Sequence, residues 1–268
     1  NNIDKAYDLR KREAILMSRL SEVELSSKNN KNKVTINDIA SVISSRCSVP
    51  IYDIMSDNKN INDMRNGLND IIIGEDTAID DLIDITKRIK CGYNDKCYSL
   101  LFIGPSGVGK SRLAKEYAKL LVGEDNFIRM DMSEYSDSTS VNKIIGSSPG
   151  YVGYDDNKNV LEEIRNKPNS VLLLDEVDKA HPSVINLFYQ ILEEGKIKDS
   201  KGKIIRFNNV IIIMTSNVGF EKSSIGFNKI SNSNILSSLK NVFSTAFINR
   251  IDNVIIFDRL EDCSIRNI

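Results

Sequence analysis

A glycine-rich loop between an apolar run and a helical run constrains the fold of this chain more than any other feature. The run "SLLFIG" (99–104) leads into "GPSGVGKS", Gly104 to Ser111, and "KSRLAKEYAKLL" follows with helical spacing. This order of strand, loop and helix is the context in which the GxxxxGK[ST] pattern holds a phosphate. Glycines let the backbone wrap around an anion, and the helix N-terminus adds positive potential. The chain must therefore bring a strand end and a helix start together around one phosphate.

The loop predicts a nucleotide site that uses ATP and Mg²⁺. We expect Lys110 to reach the β- and γ-phosphates and Ser111 to ligate magnesium. The predicted nucleotide-binding residues of the loop are Gly104, Pro105, Ser106, Gly107, Val108, Gly109, Lys110 and Ser111.

Four more apolar runs alternate with helical stretches along the chain. They are "FIRM" (127–130), "SVLLLDE" (170–176), "NVIIIMTSN" (209–217) and "NVIIF" (253–257). Nearly continuous apolar strands separated by helices are typical of a parallel sheet that is covered on both faces. We therefore predict an α/β fold with a five-stranded parallel sheet flanked by helices.

Two carboxylates follow one of these buried strands. Asp175 and Glu176 would lie at the carboxyl end of the strand, where open α/β sheets bind their ligands. Asp175 suits a magnesium shell, and Glu176 can orient and deprotonate the attacking water. Adjacent carboxylates repel each other unless a cation lies close by. An acidic pair after a strand is also an ordinary polar strand end, but together with Lys110 it predicts hydrolysis.

Polar side chains end the run "IIIMTSN" as well. Asn217 there could touch the γ-phosphate or its water and report hydrolysis to the sheet, although such a strand end is unremarkable alone. The single histidine, His181, is expected to pack or cap near a helix start, with no chemical role.

Composition excludes several classes of protein. The 268 residues are 41% hydrophobic and 27% charged, which is ordinary for a globular chain. Lys and Arg (36) balance Asp and Glu (37), so no net field favours nucleic acid or an anionic membrane. No apolar run reaches the roughly 18 residues of a membrane span, and the N-terminus is too charged for a signal peptide. Four cysteines without CxxC spacing predict reduced thiols and a cytoplasmic location, in a bacterial cytosol or an organelle stroma or matrix.

Taken together, the motifs resemble the second ATPase module of the Clp unfoldases, which are ring-forming AAA+ proteins. The resemblance covers nearly the whole chain. It is carried by "IIIGEDTAID" on the adenine side, "GPSGVGKS" and "VLLLDEVDKAHP" as Walker A and B motifs, "RMDMSEY" between them, "KIIGSSPGYVGYDD" as the pore loop, "VIIIMTSN" as the sensor strand and "FINRIDNVIIF" as the arginine-finger segment. The combination is far more specific than a phosphate loop alone.

The resemblance implies roles for further residues. Tyr151 and Val152 would form the loop that grips a polypeptide in a central pore. Arg250 would be the finger that reaches the γ-phosphate in a neighbouring subunit, and Ile72 and Ile73 would flank the adenine through their backbone. The pore segment continues "YDDNKN", where the family is richer in glycine.

The tripeptide Ile225, Gly226 and Phe227 interrupts the polar run "GFEKSSIGFNKISNSN". In Clp unfoldases that work with a protease, a loop after the sensor strand carries an Ile/Leu/Val-Gly-Phe/Leu tripeptide that docks on the ClpP peptidase. Here the tripeptide begins eight residues after Asn217. An Ile and a Phe that fold onto their own domain are the alternative.

The resemblance also predicts the domain organisation. Residues 1–60 would be a helical tail of a preceding module and a linker, including a short helix capped by Thr35 with Ile36, Ile39 and Ile43 on one face. Residues 61–268 would form the large ATPase domain, and the small helical lid of the family would lie beyond residue 268. Because the first residue is not Met and "LEDCSIRNI" resembles the start of a helix, we expect a fragment of a longer protein.

The predicted function is an ATP-dependent protein unfoldase and translocase, the ATPase subunit of a Clp protease that threads protein substrates into ClpP. Its partners would be protein substrates, ClpP and further copies of itself in a homo-hexamer, without nucleic acid or membrane. The main alternative is a ClpB-like disaggregase with no protease partner. A nucleotide-binding scaffold would not need Glu176, and a DNA-acting ring disagrees with the charge balance and the pore tyrosine.

Overall fold

The computed structural model describes residues 59–90, 97–146, 160–220 and 232–258, together with the single positions 17, 34, 36, 39, 42 and 43. Its strands are β1 (Tyr98–Ile103), β2 (Phe127–Asp131), β3 (Val171–Asp175), β4 (Lys196–Lys198), β5 (Ile204–Arg206), β6 (Ile211–Ser216) and β7 (Asn253–Ile256). Five of them form one parallel sheet in the order β2-β3-β6-β1-β7. The predicted five-stranded parallel sheet is confirmed, with strand ends that differ by one or two residues.

The other two strands, β4 and β5, form a separate antiparallel hairpin. The sequence did not predict this hairpin. Each of its strands has three residues with one buried side chain, Ile197 or Ile205. Three residues give too short an alternation of apolar and polar side chains to stand out as a strand.

Helices cover both faces of the sheet. They are α1 (Lys59–Ile71), α2 (Asp76–Lys90), α3 (Lys110–Leu121), α4 (Val141–Ile145), α5 (Val160–Asn166), α6 (Pro182–Glu194), α7 (Asn232–Val242) and α8 (Thr245–Ile248). His181 is the N-cap of α6, and its imidazole accepts a hydrogen bond from the backbone N–H of Ser183. The capping role expected of this histidine is thus confirmed.

Two apolar cores lie on opposite faces of the sheet. Along β1, Leu100 and Phe102 point into the core formed with α1, α2 and α3, whereas Leu101 and Ile103 point into the core formed with α4 to α8. All four side chains are fully buried. Burial on both faces explains why the strands are apolar at successive positions instead of at alternate ones.

A buried polar contact joins α2 to α3. The hydroxyl of Thr86 donates to the carbonyl of Leu82 at 2.7 Å and lies 3.0 Å from the hydroxyl of Tyr117. Burial raises the pKa of Tyr117 to about 12, so the phenol stays protonated and hydrogen-bonded. The contact fixes α3, the helix whose first turn follows the glycine-rich loop.

Parallel register brings the polar strand ends to one edge of the sheet. Ile103 pairs with Ser216, and Asp131 pairs with Asp175. The glycine-rich loop begins at the same edge, where a Cβ on Gly104 would lie 2.6 Å from the Cβ and 2.9 Å from the carbonyl oxygen of Phe257. Only glycine allows the end of β7 to pack this closely against the start of the loop.

The sequence predicted a short helix with isoleucines on one face and no membrane span. Ile36, Ile39 and Ile43 are helical, as expected, and they are 75%, 52% and 40% exposed. The predicted cap Thr35 lies outside the described residues. Within the described ranges, no helix combines the length and the apolar character needed to cross a membrane.

Candidate functional site

The glycine-rich loop forms a cradle at the carboxyl edge of the sheet. Gly107 and Gly109 have φ angles of 83° and 103°, in the left-handed region that L side chains disfavour. A Cβ built on either glycine meets no atom within 4 Å, so the backbone angles, and not crowding, favour glycine at both positions. Leu113 N–H donates back to the carbonyl of Gly109, which starts α3 directly at the loop. The cradle and the helix N-terminus fit a phosphate.

The ammonium of Lys110 points into this region. The residue is 7% exposed, and its Nζ donates to the carbonyls of Gly104 and Pro105 at 2.7 and 2.6 Å. A third hydrogen bond, of 2.8 Å, goes to the side-chain oxygen of Asn217 at the end of β6. Burial lowers the pKa of Lys110, although the carboxylates of Asp175, Asp178 and Glu176 oppose that shift. A buried cation with exchangeable acceptors is suited to bind a polyphosphate.

The carboxylate of Asp175 accepts hydrogen bonds from three elements. Its Oδ1 accepts from Ser111 at 2.6 Å and from Thr215 at 2.7 Å, and its Oδ2 accepts from the guanidinium of Arg129 at 2.6 Å. Burial alone would raise the pKa of Asp175, but the hydrogen bonds from Ser111, Thr215 and Arg129 outweigh it and hold the pKa below its usual value. Asp175 therefore stays ionised.

Glu176 has an unusual backbone. Its φ and ψ of 55° and 53° make it the one residue other than glycine with positive φ among those described. Its N–H donates to the hydroxyl of Thr215 at 2.9 Å, which secures this strained turn. A left-handed residue of this kind costs about 1–2 kcal/mol. The Glu176 side chain is half-buried, and its Oε2 accepts a hydrogen bond of 3.5 Å from the hydroxyl of Ser133.

The residues at this edge fit Mg²⁺. A serine hydroxyl and a carboxylate are the hard oxygen ligands that the ion prefers. In the described ranges no group of three or more His, Cys, Asp and Glu side chains could hold a metal by itself. Ser111 and Asp175 would therefore share the ion with phosphate oxygens and water, as Mg²⁺ usually requires.

Arg250 lies away from this site. Its carbonyl accepts from the hydroxyl of Ser99 at 3.1 Å, and its guanidinium donates to Glu193 on α6 at 2.5 Å. Ser99 is near the amino end of β1, five residues before the loop begins at Gly104, so about 16 Å of chain separates Arg250 from the start of the loop. This arginine is not brought together with Lys110 of its own chain.

The predicted adenine-side residues differ in exposure. Ile72 is 6% exposed and packs with the α1–α3 core, whereas Ile73 is half-buried. The predicted backbone contacts of Ile72 and Ile73 with an adenine stay a prediction from the sequence.

The neighbouring Glu75 was not predicted. It is 2% exposed, and its Oε1 has no hydrogen-bond partner. Burial and the carboxylate of Asp258 raise its pKa to about 7, against smaller opposing effects of the Asp258 backbone and Lys110.

The remaining predicted residues lie outside the described residues. They are the pore-loop pair Tyr151 and Val152 and the docking tripeptide Ile225, Gly226 and Phe227. Their roles stay predictions from the sequence.

Sequence reasoning also missed Arg129 as part of the site. The signal was present in "FIRMD", where alternation places Arg129 and Asp131 on one side of a strand. What the sequence does not contain is the fact that β2 lies directly beside β3.

Comparisons with known proteins place the chain among ATPases. Residues 95–254 match the family model "AAA domain (Cdc48 subfamily)". The chain is 39% identical to the negative regulator of genetic competence ClpC/MecB of Bacillus subtilis, over 96% of this chain and 34% of that protein. It is 40% identical to the chaperone protein ClpB of Oceanobacillus iheyensis, over 86% of this chain and 30% of that protein.

Two further comparisons agree. The ATP-dependent Clp protease ATP-binding subunit ClpL of Staphylococcus aureus is 38% identical over 94% of this chain and 36% of that protein. A closed-state cryo-electron microscopy reconstruction of Hsp104 with ATPγS and FITC casein superposes with a TM-score of 0.79 and 32% identity, covering 91% of this chain and 43% of that one. The chain spans about a third of the length of these curated relatives.

Glu75 predicts a pH dependence of stability. Its pKa is raised from 4.5 to about 7, so its contribution to stability is complete below pH 4.5 and is lost as the pH rises through 7. Glu75→Gln cannot ionise and keeps a similar shape. Its advantage over the parent in the free energy of unfolding should grow between these pH values and then level off, at no more than about 3 kcal/mol.

Urea unfolding from pH 4.5 to 8.5 measures this difference. Glu124→Gln, which alters an exposed carboxyl, serves as the matched control and should show no such pH-dependent gain. Parallel stability curves for Glu75→Gln and the parent would contradict the assignment of a raised pKa to Glu75.

Proposed function

We propose that this chain, which belongs to the AAA+ ATPases of the Clp family, is the ATPase module of a protein unfoldase that threads polypeptides through a ring. The observation that carries the proposal is that four polar residues converge at the carboxyl ends of the parallel strands. There Lys110 is hydrogen-bonded to Asn217, and Ser111 is hydrogen-bonded to Asp175. A glycine cradle adjoins them. This arrangement suits phosphoryl transfer to water.

The side chains divide the work of hydrolysis. Lys110 would exchange its carbonyl and Asn217 acceptors for the β- and γ-phosphates, and Ser111 and Asp175 would hold Mg²⁺. When bound, Mg²⁺ neutralises charge on the phosphate oxygens. Glu176 orients the attacking water and takes its proton. Asn217, which contacts Lys110, changes partners as the γ-phosphate leaves and transmits this change to β6.

Arg250 acts across a subunit boundary in this proposal. Its distance from the loop of its own chain and its exposed guanidinium support a role at a neighbour's γ-phosphate. An arginine supplied in this way accelerates hydrolysis by roughly 10³–10⁵ in other NTPases. The active form would then be a closed ring of identical subunits, because each site needs the next copy, and membership of the Clp family favours a homo-hexamer.

The substrate class follows from the predicted pore loop. Tyr151 and Val152 would contact a polypeptide in the pore, since an aromatic ring offers faces that suit many side chains. Gly150 and Gly153 flank this pair and permit the loop to move. Protein substrates, without nucleic acid or membrane, are therefore the proposed partners, and the cytosol-like compartment stays a prediction from the sequence.

We favour a ClpP-type peptidase as the further partner over a disaggregase acting alone. The relatives carry names of both kinds, a Clp protease ATP-binding subunit and a chaperone. The tripeptide at 225–227 favours the peptidase. Burying its Ile and Phe is worth about 1.5–3 kcal/mol each, before the cost of ordering a loop. A total of about 4 kcal/mol is only millimolar affinity, so several loops of one ring would have to bind together.

Glu176→Gln tests the proposed hydrolysis. The variant should bind ATP like the parent, because the phosphate and magnesium ligands remain, while phosphate release falls by at least about 100-fold. Lys110→Ala should lose ATP binding itself. Fluorescent-nucleotide binding and phosphate-release assays separate the two effects, with Glu124→Gln as the control. Turnover of Glu176→Gln at the parent rate would contradict the assignment of the base.

Phe227→Ala tests the proposed peptidase partner. ATPase activity and unfolding of a stable tagged protein should persist, whereas degradation by added ClpP should fall much more steeply than one lost contact suggests. Deletion of 225–227 should abolish co-sedimentation with the peptidase. If the deletion variant still bound ClpP normally, the disaggregase alternative would replace this proposal.

A further inference from the structure

A salt bridge crosses from the edge strand to the magnesium carboxylate. The guanidinium of Arg129 donates to Oδ2 of Asp175 at 2.6 Å. The carboxylate is 9% exposed and the arginine side chain is 56% exposed, so one partner is fixed and the other has room to move. The bridge thus joins a buried metal ligand to a solvent-exposed cation.

Strand register creates this contact. Arg129 pairs with Leu173, and Asp131 pairs with Asp175, so β2 and β3 run side by side in step. Side chains two residues apart on a strand lie on the same face, about 7 Å apart along it. Asp175 lies two residues beyond Leu173, the partner of Arg129, so the Arg129 side chain has to reach along the strand direction to contact it.

The bridge uses the same carboxylate that the proposed function assigns to Mg²⁺. Oδ1 already accepts two hydrogen bonds, from Ser111 and Thr215, and Oδ2 is the oxygen that Arg129 contacts. A divalent cation at either oxygen, or one water molecule away, would lie within a few ångströms of the guanidinium. Like charges at that distance repel strongly in a partly buried site. Both cations cannot bind Asp175 at full strength together.

We propose that Arg129 competes with Mg²⁺ for Asp175 and thereby sets how much magnesium the site needs. Arg129 holds the carboxylate ionised and in place, and its guanidinium would leave Asp175 when that carboxylate takes up Mg²⁺ with nucleotide. The released side chain has acceptors within the same surface recess, which has a volume of about 330 Å³ and is lined by Arg129, Asp131 and Glu134 among others. Magnesium loading would then change the electrostatics of β2 as well as those of the nucleotide.

Magnesium titration of nucleotide binding tests this competition. Binding of fluorescent ADP to the purified protein is measured in EDTA and across Mg²⁺ concentrations, for the parent and for Arg129→Gln. The Mg²⁺ concentration at half effect should fall by about 3- to 10-fold in the variant, because the competitor is gone. Affinity in EDTA should change by less than about twofold, since Arg129 contacts the carboxylate and not the phosphate cradle.

Two more variants serve as controls. Arg65→Gln removes the comparably exposed bidentate pair with Asp80 on α1 and α2, and it should leave the magnesium midpoint unchanged. Arg129→Lys keeps the positive charge and should lie between the parent and Arg129→Gln. Thermal unfolding adds a second measurement: Arg129→Gln should lower the melting temperature in EDTA, and saturating Mg²⁺ with nucleotide should restore it.

The outcomes separate the inference from the function on which it rests. If the parent protein binds no nucleotide, the proposed ATPase site itself is wrong. If the parent binds and Arg129→Gln has an unchanged magnesium midpoint, the bridge is only structural and the competition is refuted. A loss of nucleotide affinity in EDTA would instead assign Arg129 to the phosphates, and this result also overturns the proposal.

Discussion

The carboxylate of Asp175 is the interaction on which the rest of the site depends. Its three donors come from the first turn of α3, the end of β6 and the edge strand β2. Thr215 extends this set, because the same hydroxyl that donates to Asp175 accepts from the N–H of Glu176. The buried carboxylate of Asp175 therefore positions Ser111, the other predicted metal ligand, and through Thr215 the turn that presents the predicted base Glu176. Such a network is stable only when all its members are satisfied.

The site departs from local preferences that the rest of the sheet obeys. Lys110 is buried, Glu176 has left-handed backbone angles and Glu75 buries a carboxyl oxygen without a partner. Each departure costs of order 1–3 kcal/mol, and together they need the two apolar cores on either side of the sheet to offset them. Concentration of these costs at one edge is what functional sites show in natural proteins. It agrees with a site kept for binding rather than for stability.

Much of this arrangement could be predicted because it follows from local patterns. The apolar runs predicted all five strands of the sheet, and the glycine-rich loop predicted the positions of Lys110 and Ser111 beside the end of β3. Arg129 could not be assigned to Asp175, because the contact depends on β2 being the neighbour of β3 in space. Glu75 has no sequence signal either, since its burial depends on the approach of β7 and Asp258. Local periodicity shows which residues share a strand face, but neighbours across strands come from the topology.

In the proposed ring each nucleotide site needs two subunits, with Arg250 of one subunit serving the loop of the next. The hydrogen bond from Ser99 fixes the backbone of Arg250 near the amino end of β1, whereas Lys110 lies beyond the carboxyl end of the same strand. Complementation tests this most directly. Lys110→Ala and Arg250→Ala proteins should each be inactive in phosphate release. A mixture that exchanges subunits should regain activity wherever an intact Lys110 meets an intact Arg250 of the neighbour. In random head-to-tail rings this is the case at roughly a quarter of the interfaces. A mixture that stays as inactive as its two components, although mixed rings form, would contradict the account.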